Sequence, residues 1–173
     1  MVFVEIKDLK NCTDVKELYE GSFPPEEKVD FYGFFSGVFS NFKLFVLYDE
    51  AKLVGMAHFC NTKNFIHLNY LAVDKKCQSK GYGTKIISFL KEKFNNKTIV
   101  VDVEKEGIKE KNNDVRKRRK VFYHKNGFLD GKYEFDWEGV HMTYMHFGEI
   151  NGEEFMKYIV VIFPTIINIK TVY

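Results

Sequence analysis

The sequence has few of the residues that crosslink small proteins through disulfides or metals. Its 173 residues include three cysteines, Cys12, Cys60 and Cys77, and no two of them form a C-x-x-C pair. A disulfide framework and a cysteine-based zinc site are therefore disfavoured, and a reducing cytoplasm is the expected location. The five histidines show no metal-like grouping, so the sequence predicts no metal.

The chain also lacks a strong charge bias and a long apolar run. Its 26 basic and 24 acidic residues give a formal net charge of +2, so composition alone does not favour nucleic-acid binding. The most apolar late stretch, residues 158–169, contains Pro164 and is too short to span a bilayer. Acids and lysines occupy the first ten residues, where a signal peptide needs an apolar core. We therefore predict a soluble cytoplasmic protein with no membrane partner and no nucleic-acid partner.

Apolar and aromatic residues, in contrast, are plentiful. Hydrophobic residues make up 45% of the chain and aromatic residues 17%, with 18 phenylalanines. This composition is typical of a folded protein with a sizeable hydrophobic core. Only three prolines and no low-complexity linker interrupt the sequence. We predict one domain over residues 1–173, with a core at 42–148 and a C-terminal extension at 149–173.

The hydrophobic pattern predicts alternating strands and helices, which is typical of an α/β (α+β) protein. The predicted strands are Val2–Ile6, Phe42–Tyr48, Leu53–Asn61, Phe65–Val73, Thr98–Val103, Phe128–Phe135 and Val140–Phe147. The predicted helices are one capped by Thr13, one beginning at Pro24-Pro25, Gly83–Phe94, and Asp114–Lys125 ended by Asn126-Gly127. The tail beyond Asn151 suggests a helix and an extended segment, and its apolar residues 158–173 are a candidate contact in a homodimer.

One loop carries the strongest chemical signal. The stretch Gln78-Ser79-Lys80-Gly81-Tyr82-Gly83 follows an apolar strand and leads directly into a helix. Glycines before a helix let the backbone approach a ligand, and the helix N-terminus favours a phosphate group. No Walker-type G-x-x-x-x-G-K-[ST] sequence is present, and no G-x-G-x-x-G. Taken alone, the loop could equally be a structural turn.

The surroundings of this loop resemble the cofactor-binding motif of the GNAT superfamily of N-acetyltransferases. The resemblance includes the strand end YLAVD at residues 70–74, the Q-x-x-G-x-G loop and the apolar face of the next helix. Residues 121–128, VFYHKNGF, are similar to the F-Y-x-K-x-G-F block of that superfamily, and residues 22–27 to an N-terminal signature of some members. The resemblance spans residues 44–147. It implies a central mixed, mostly antiparallel twisted sheet, splayed at the cofactor site, with helices on both faces.

The resemblance also implies the cosubstrate and its contacts. Acetyl-CoA would place its acyl end against Leu71, Ala72 and Val73. Its pyrophosphate would lie on the loop and helix start. The residues implied there are Gln78, Ser79, Lys80, Gly81, Tyr82, Gly83 and Thr84. Many members have Arg where this chain has Gln78, which keeps a hydrogen-bond donor and removes a charge.

Two side chains are candidates for proton transfer. Tyr123 matches the tyrosine that protonates the leaving thiolate in the superfamily, although it could simply pack under the sheet. Glu104 follows the strand TIVVDV, where many members place a carboxylate that takes the proton of the amine, but it could also be an ordinary exposed acid. Asp102 is a weaker candidate for that role. Arg116, Arg119 and Tyr123 share one helical face, so Arg116 or Arg119 is a candidate contact of the coenzyme or of an acidic substrate group.

Three functions remain open from the sequence. The first is an acetyltransferase that transfers acetyl to a primary amine of a small molecule or protein by direct attack on the thioester. The second is a non-catalytic coenzyme A sensor or partner-binding module with the same fold. The third is nucleic-acid binding through the run RKRRK at residues 116–120, which the balanced net charge disfavours.

Overall fold

The computed structural model describes residues 1–10, 12–35, 41–105 and 113–172. The chain forms two compact units, Met1–Asn95 and Asn96–Tyr173, and each is described by itself below. The expectation that residues 1–173 act as a single domain stays a prediction.

The first unit contains four strands, each antiparallel to its neighbour, in the order β1-β2-β3-β4. They are β1 (Val2–Ile6), β2 (Phe42–Asp49), β3 (Lys52–Asn61) and β4 (Phe65–Val73). Glu50 and Ala51 connect β2 to β3 with positive φ angles of 47° and 64°. A two-residue loop with both φ angles positive matches the right-handed twist of a hairpin, and the predicted hairpin is confirmed.

Two helices cover opposite faces of these strands, because successive side chains of a strand point to opposite sides. Helix α1 (Thr13–Ser22) places Val15 and Tyr19 in a cluster with Leu44 and Met56. Helix α2 (Tyr82–Lys93) packs on the other face, where Phe89 stacks on Phe3 with ring centroids 3.9 Å apart. The expectation of helices on both faces holds within this unit.

Helix α2 approaches β3 closely at Gly55. A β-carbon at this position would lie 2.8 Å from Cδ1 of Ile86 and 2.9 Å from the carbonyl oxygen of Ala72. Both distances are below van der Waals contact, and one neighbour is backbone of β4, which cannot move alone. Glycine at position 55 therefore allows α2 to pack against the sheet at its present distance.

The helix predicted from Pro24-Pro25 onward is wrong for the described residues. Two short 3₁₀ turns, Pro25–Glu27 and Phe31–Phe35, take its place, and Lys28 between them is extended. The predicted continuation through residues 36–40 lies outside the described residues.

Two tyrosine hydroxyls explain this departure. Tyr70 Oη donates to the carbonyl of Glu27 at 2.9 Å and accepts from the N–H of Val29 at 3.3 Å. Tyr19 Oη donates to the carbonyl of Val29 at 3.0 Å. Because these tertiary bonds use backbone groups that an α-helix would pair internally, the segment stays open.

The predicted cap of α1 is also wrong by one residue. Cys12 is the N-cap, with φ −98° and ψ 41°, and Thr13 is the first helical residue. The carboxylate of Asp14 accepts a hydrogen bond from the N–H of Val15 at 2.9 Å. A carboxylate in the first turn of a helix satisfies an N–H group that the cap leaves unpaired.

The second unit contains four strands in the order β5-β7-β6-β8, again with antiparallel neighbours. They are β5 (Thr98–Glu104), β6 (Leu129–Trp137), β7 (Val140–Phe147) and β8 (Ile166–Thr171). Helix α3 (Asn113–Lys125) ends as predicted, with Gly127 at φ 77°. The N–H of Phe128 donates to the carbonyl of Tyr123 at 3.1 Å, and the N–H of Gly127 to that of His124 at 2.8 Å. This pair of bonds is a Schellman motif.

The C-terminal tail forms the helix and extended segment that the sequence suggested. Helix α4 (Gly152–Ile162) is capped by Asn151, whose side chain accepts from the N–H groups of Glu153 and Glu154. Strand β8 then pairs with β6 at the edge of this unit. Val161 and Ile167 remain 69% and 60% exposed, and the proposed dimer contact stays a prediction.

No helix within the described ranges is long and apolar enough to cross a bilayer.

We expect Gly55→Ala to destabilise the protein by about 1–3 kcal/mol, because the new methyl group overpacks the contact between α2 and β3. Urea denaturation monitored by circular dichroism measures this change. Gly21→Ala is the control, because a β-carbon at this helical position meets no atom within 4 Å. The control should leave stability unchanged or raise it by about 0.5–1 kcal/mol. Equal stability of both variants would contradict the close approach.

Candidate functional site

The segment after β4 is a fixed turn. Asp74 caps the 3₁₀ turn Lys75–Cys77, and its carboxylate accepts a hydrogen bond from the N–H of Lys76 at 2.8 Å. The N–H of Asp74 donates to the carbonyl of Val54 at 3.0 Å, which ties the turn to β3. The predicted phosphate loop therefore starts from a defined point at the end of the sheet.

The loop itself uses left-handed backbone at two positions before α2. Ser79 has φ 62° and Gly81, the N-cap of the helix, has φ 82°. The N–H of Lys85 pairs with the carbonyl of Gly81 at 3.0 Å, so the helical hydrogen bonds begin there. N–H groups in the first turn of a helix have no intrahelical partner, and the helix dipole is positive at this end. The turn presents a geometry suited to an anion.

Space is open beside this turn. A β-carbon built on Gly81 meets no atom within 4 Å. Ser79, Lys80 and Thr84 are exposed around it, and Gly83 is half-buried. A phosphate group could therefore reach the backbone, and Lys80 would add a positive charge.

Gln78 takes a position that the sequence did not indicate. Its side-chain amide donates to the carbonyl of Val73 at 3.3 Å, back toward the end of β4. In this conformation the side chain stabilises the strand-to-loop turn. Direct contact of Gln78 with phosphate stays a prediction.

Tyr82 anchors the start of α2 to the first hairpin. Its hydroxyl donates to the carboxylate of Asp49 at 2.5 Å, and Nζ of Lys85 lies 5.1 Å from the centre of its ring. The hydrogen bond to Asp49 raises the pKa of the Tyr82 phenol. The two residues are 33 positions apart in the chain, so no local sequence signal points to this contact.

The residues predicted at the acyl end lie at the end of β4. Ala72 is buried in the cluster under α1, whereas Leu71 and Val73 are half-buried. The strand also has a bulge that the sequence did not reveal. His58 pairs with Tyr70 and Phe59 with Leu68, so Asn69 is an extra residue opposite β3. A bulge redirects the strand locally, and such irregularities are common beside binding sites.

Tyr123 lies inside the second unit, on α3. It is 4% exposed and packs between the rings of Phe122 and Phe128, with both centroids at 5.2 Å. Burial raises the pKa of its phenol to about 12, the positive charge of Arg119 opposes this rise, and the charge of Asp102 adds to it. At neutral pH the phenol therefore carries its proton and can act only as an acid.

Glu104 lies at the end of β5 between two arginines of α3. Its Oε1 atom accepts a hydrogen bond from Nη2 of Arg116 at 2.9 Å, and Oε2 is 3.7 Å from Nη1 of Arg119. The sequence spacing predicted that the arginines share a face with Tyr123, but it did not indicate their ion pairs with Glu104. Both oxygens of this carboxylate thus lie within 4 Å of a guanidinium group.

Three of the histidines, all on strands, lie in different surroundings. His58 and His67 are buried on β3 and β4. His141 on β7 lies between two carboxylates of β6, with Nδ1 2.6 Å from Asp136 and Nε2 3.1 Å from Glu134. No three His, Cys, Asp or Glu residues in the described ranges are grouped to hold a metal ion. No disulfide joins the three cysteines.

The sequence of the chain matches a known family. The sequence model described as "Acetyltransferase (GNAT) domain" matches residues 40–129, just over half of the chain. The match includes β4, the glycine loop, α2 and all of α3. The chain therefore belongs to the GNAT family of acetyltransferases, as the two sequence motifs predicted. None of the curated protein sequences compared with it matches significantly.

Solved structures show the same fold. A protein described as a GNAT-family acetyltransferase from Bacteroides thetaiotaomicron superposes with a TM-score of 0.75 at 23% identity, covering 94% of this chain and 98% of that one. An aminoglycoside 6'-N-acetyltransferase complexed with coenzyme A gives 0.65 at 14% identity, covering 87% and 100%. A Bacillus subtilis acetyltransferase in complex with CoA gives 0.61 at 15%, covering 86% and 98%. These likenesses confirm the predicted α/β fold class.

We expect the Glu134 carboxylate to stabilise the second unit at neutral pH. Lys105, at 2.6 Å from Oε1, and then His141 lower its pKa from the ordinary value of 4.5, against the effect of burial. A pKa that is lowered in the folded state contributes stability at pH values above 4.5. This contribution is lost as the pH falls through the pKa of the folded state. Glu134→Gln should therefore cost about 0.5–1 kcal/mol at neutral pH and less in acid.

Urea unfolding at about pH 7 and about pH 3 measures the difference. The control is Glu138→Gln, which removes the same charge from an exposed position in the turn of the same hairpin. A pH-independent loss in Glu134→Gln would show that the side chain acts by packing and not by charge.

Proposed function

We propose that this GNAT acetyltransferase uses acetyl-CoA to acetylate a primary amine of a small molecule or protein. The main observation that supports this proposal is the open, left-handed turn at Gly81 between β4 and α2. It presents the positive end of a helix, and the loop before it carries Lys80. The proposal draws further support from two structural relatives that are described as complexes with coenzyme A.

The pyrophosphate of the cosubstrate would lie on this turn. The backbone N–H groups of Tyr82, Gly83 and Thr84 are the first of α2 and would donate to the phosphate oxygens. Lys80 would contribute a point charge. The bond between Tyr82 and Asp49 would keep the helix start in place while the anion binds.

The acyl end would lie beside the end of β4. Leu71 and Val73 are half-buried there, so their side chains can shield the thioester from water. A backbone N–H group near Val73 would stabilise the oxyanion that forms when the amine attacks the carbonyl carbon. A donor already in place for the developing charge lowers the barrier without reorganisation.

Tyr123 would donate the proton that the leaving sulfur needs. Its phenol is buried and protonated at neutral pH, as an acid for a thiolate must be. The amine must lose a proton as well, because an alkylamine with a pKa of about 10.4 is mostly charged at neutral pH. Glu104 stays the predicted acceptor of that proton, either through water or after one of its ion pairs opens.

We expect acetyl-CoA to raise the melting temperature in a saturable way. Binding to the folded state alone adds about 2.7 kcal/mol at a hundredfold excess over Kd. Gly81→Glu should abolish this effect, because the carboxylate fills the open space and repels phosphate. Differential scanning fluorimetry with increasing acetyl-CoA measures both.

Gly139→Glu is the matched control. Gly139 has φ 84°, and its β-carbon would also meet no atom within 4 Å, but it lies in the turn between β6 and β7. Gly139→Glu therefore adds the same charge and a similar backbone strain at a position away from the glycine loop. Stabilisation by acetyl-CoA should persist in this variant. An unchanged melting temperature of the unmodified protein at millimolar acetyl-CoA would contradict the proposal.

We expect Tyr123→Phe to lower kcat by about 10²–10⁴-fold, because general acid catalysis contributes this much. The Kd for acetyl-CoA should change little, since the ring and its packing remain. Thiol release in a screen of primary amines measures turnover. An unmodified protein with normal affinity for acetyl-CoA and no turnover on any amine would instead favour the non-catalytic coenzyme A sensor.

A further inference from the structure

The carboxylate of Glu104, at the end of β5, contacts two arginines of α3, Arg116 and Arg119. These three side chains form one cluster. Nη1 of Arg116 also donates a hydrogen bond to the carbonyl of Lys105 at 3.5 Å. The side chains of Glu104 and Arg116 are only 14% and 11% exposed. The pair of Glu104 with Arg116 is therefore screened less than a surface pair. The Arg119 side chain is 33% exposed, and its contact with the same carboxylate is longer, at 3.7 Å.

The geometry of α3 relates this cluster to Tyr123. Arg119 precedes Tyr123 by four residues, which places the two side chains next to each other on one face of the helix. Arg118, the residue before Arg119, is exposed instead. The carboxylate of Glu104 therefore holds a guanidinium group one helical turn from the buried phenol.

We infer that Glu104 is a positioning residue that, with Arg116, holds Arg119 on the Tyr123 face of α3, where Arg119 assists proton donation by the phenol. This inference rests on the proposed acetyl transfer. It gives Glu104 a positioning role in place of the proton-acceptor role that the family resemblance implies.

The chemistry of the step explains why a cation helps. The O–H bond of Tyr123 breaks, an S–H bond forms on the leaving thiolate, and the phenol becomes a phenolate. A charged amine first releases its extra proton to water. The proton that the neutral amine then loses during acetylation later restores the phenol, so the phenol itself is returned unchanged. A buried phenolate is costly without a nearby positive charge. The guanidinium of Arg119 supplies that charge and opposes the effect of burial.

The other charges around these groups do not replace Arg119. Asp102 on β5 acts in the opposite direction on the phenol. Lys105 is paired with Glu134 at 2.6 Å, and Glu134 also contacts His141. Among the groups whose charges act on the phenol in the described structure, Arg119 is the cation.

The test measures kcat and KM for Arg119→Gln and Arg119→Lys. We expect Arg119→Gln to lower kcat about tenfold, the equivalent of one pKa unit, with KM for acetyl-CoA unchanged. Arg119→Lys keeps the charge and should recover much of the rate. Arg118→Gln removes an exposed cation from the same run and should behave like the unmodified enzyme.

Double variants show whether the residues act through one another. If Arg119 acts through the phenol, Arg119→Gln adds no further loss in the Tyr123→Phe background. If Glu104 acts through Arg119, the double variant Glu104→Gln/Arg119→Gln is no slower than Arg119→Gln. Losses that multiply in either pair would overturn the inference, and so would an effect confined to KM. Loss of the acidic limb of the kcat profile in Glu104→Gln would identify Glu104 as the general base instead.

A second readout needs no turnover, so it separates this inference from the proposed function. Difluorotyrosine at position 123 has a lower pKa than tyrosine, and fluorine NMR follows its ionisation. We expect Arg119→Gln to raise the midpoint by about one unit, and Glu104→Gln to reduce that difference because Arg119 is no longer held. An unchanged midpoint in Arg119→Gln overturns the inference even if the enzyme is active.

Discussion

The left-handed backbone of Gly81 is the constraint on which the candidate site of the first unit depends. It lets the chain leave the sheet, turn and begin α2 within a few residues, with open space beside Gly81 at the helix start. A residue with a β-carbon would strain this backbone even without a clash. The turn is supported on both sides, by Asp74 at the end of β4 and by the bond from Tyr82 to Asp49. The anion-binding geometry is therefore a property of the sheet, turn and helix together, and not of the glycines alone.

The packing of the first unit explains how this helix start is held. Gly55 lets Ile86 of α2 lie directly on β3 and next to the backbone of β4. On the opposite face, the hydroxyl of Tyr70 holds the backbone of residues 27–29 against β4. One short strand segment thus carries the predicted acyl contacts, a bulge and an anchor for the N-terminal region. Because these features lie on neighbouring residues of β4, a substitution that alters one is expected to alter the geometry of the others.

In the second unit, burial and charge act against each other at one phenol. The apolar surroundings of Tyr123 keep it protonated, which suits an acid, but they also make its anion costly. Arg119 reduces that cost, and Glu104 holds Arg119. The sequence motifs suggest two independent catalytic side chains. In the structure, Glu104, Arg119 and the phenol of Tyr123 are instead connected electrostatically through α3.

The sequence by itself determined the strands, helices α2 and α3 and the glycine end of α3 at Gly127, because alternation, helical periodicity and glycine turns are local properties. The family followed from the resemblance of two motifs. The sequence also placed the glycine turn before α2, since a glycine before a helix has a local backbone reason, and its role as a phosphate loop stays a prediction. It failed from Pro25 to Phe35, where proline and acids favour a helix but the hydroxyls of Tyr19 and Tyr70 take the backbone groups instead. Only the tertiary structure decided the bond from Tyr82 to Asp49, the bulge at Asn69 and the arginines around Glu104. These contacts join side chains that are distant in the chain or depend on strand register, and the pattern of neighbouring residues does not encode them.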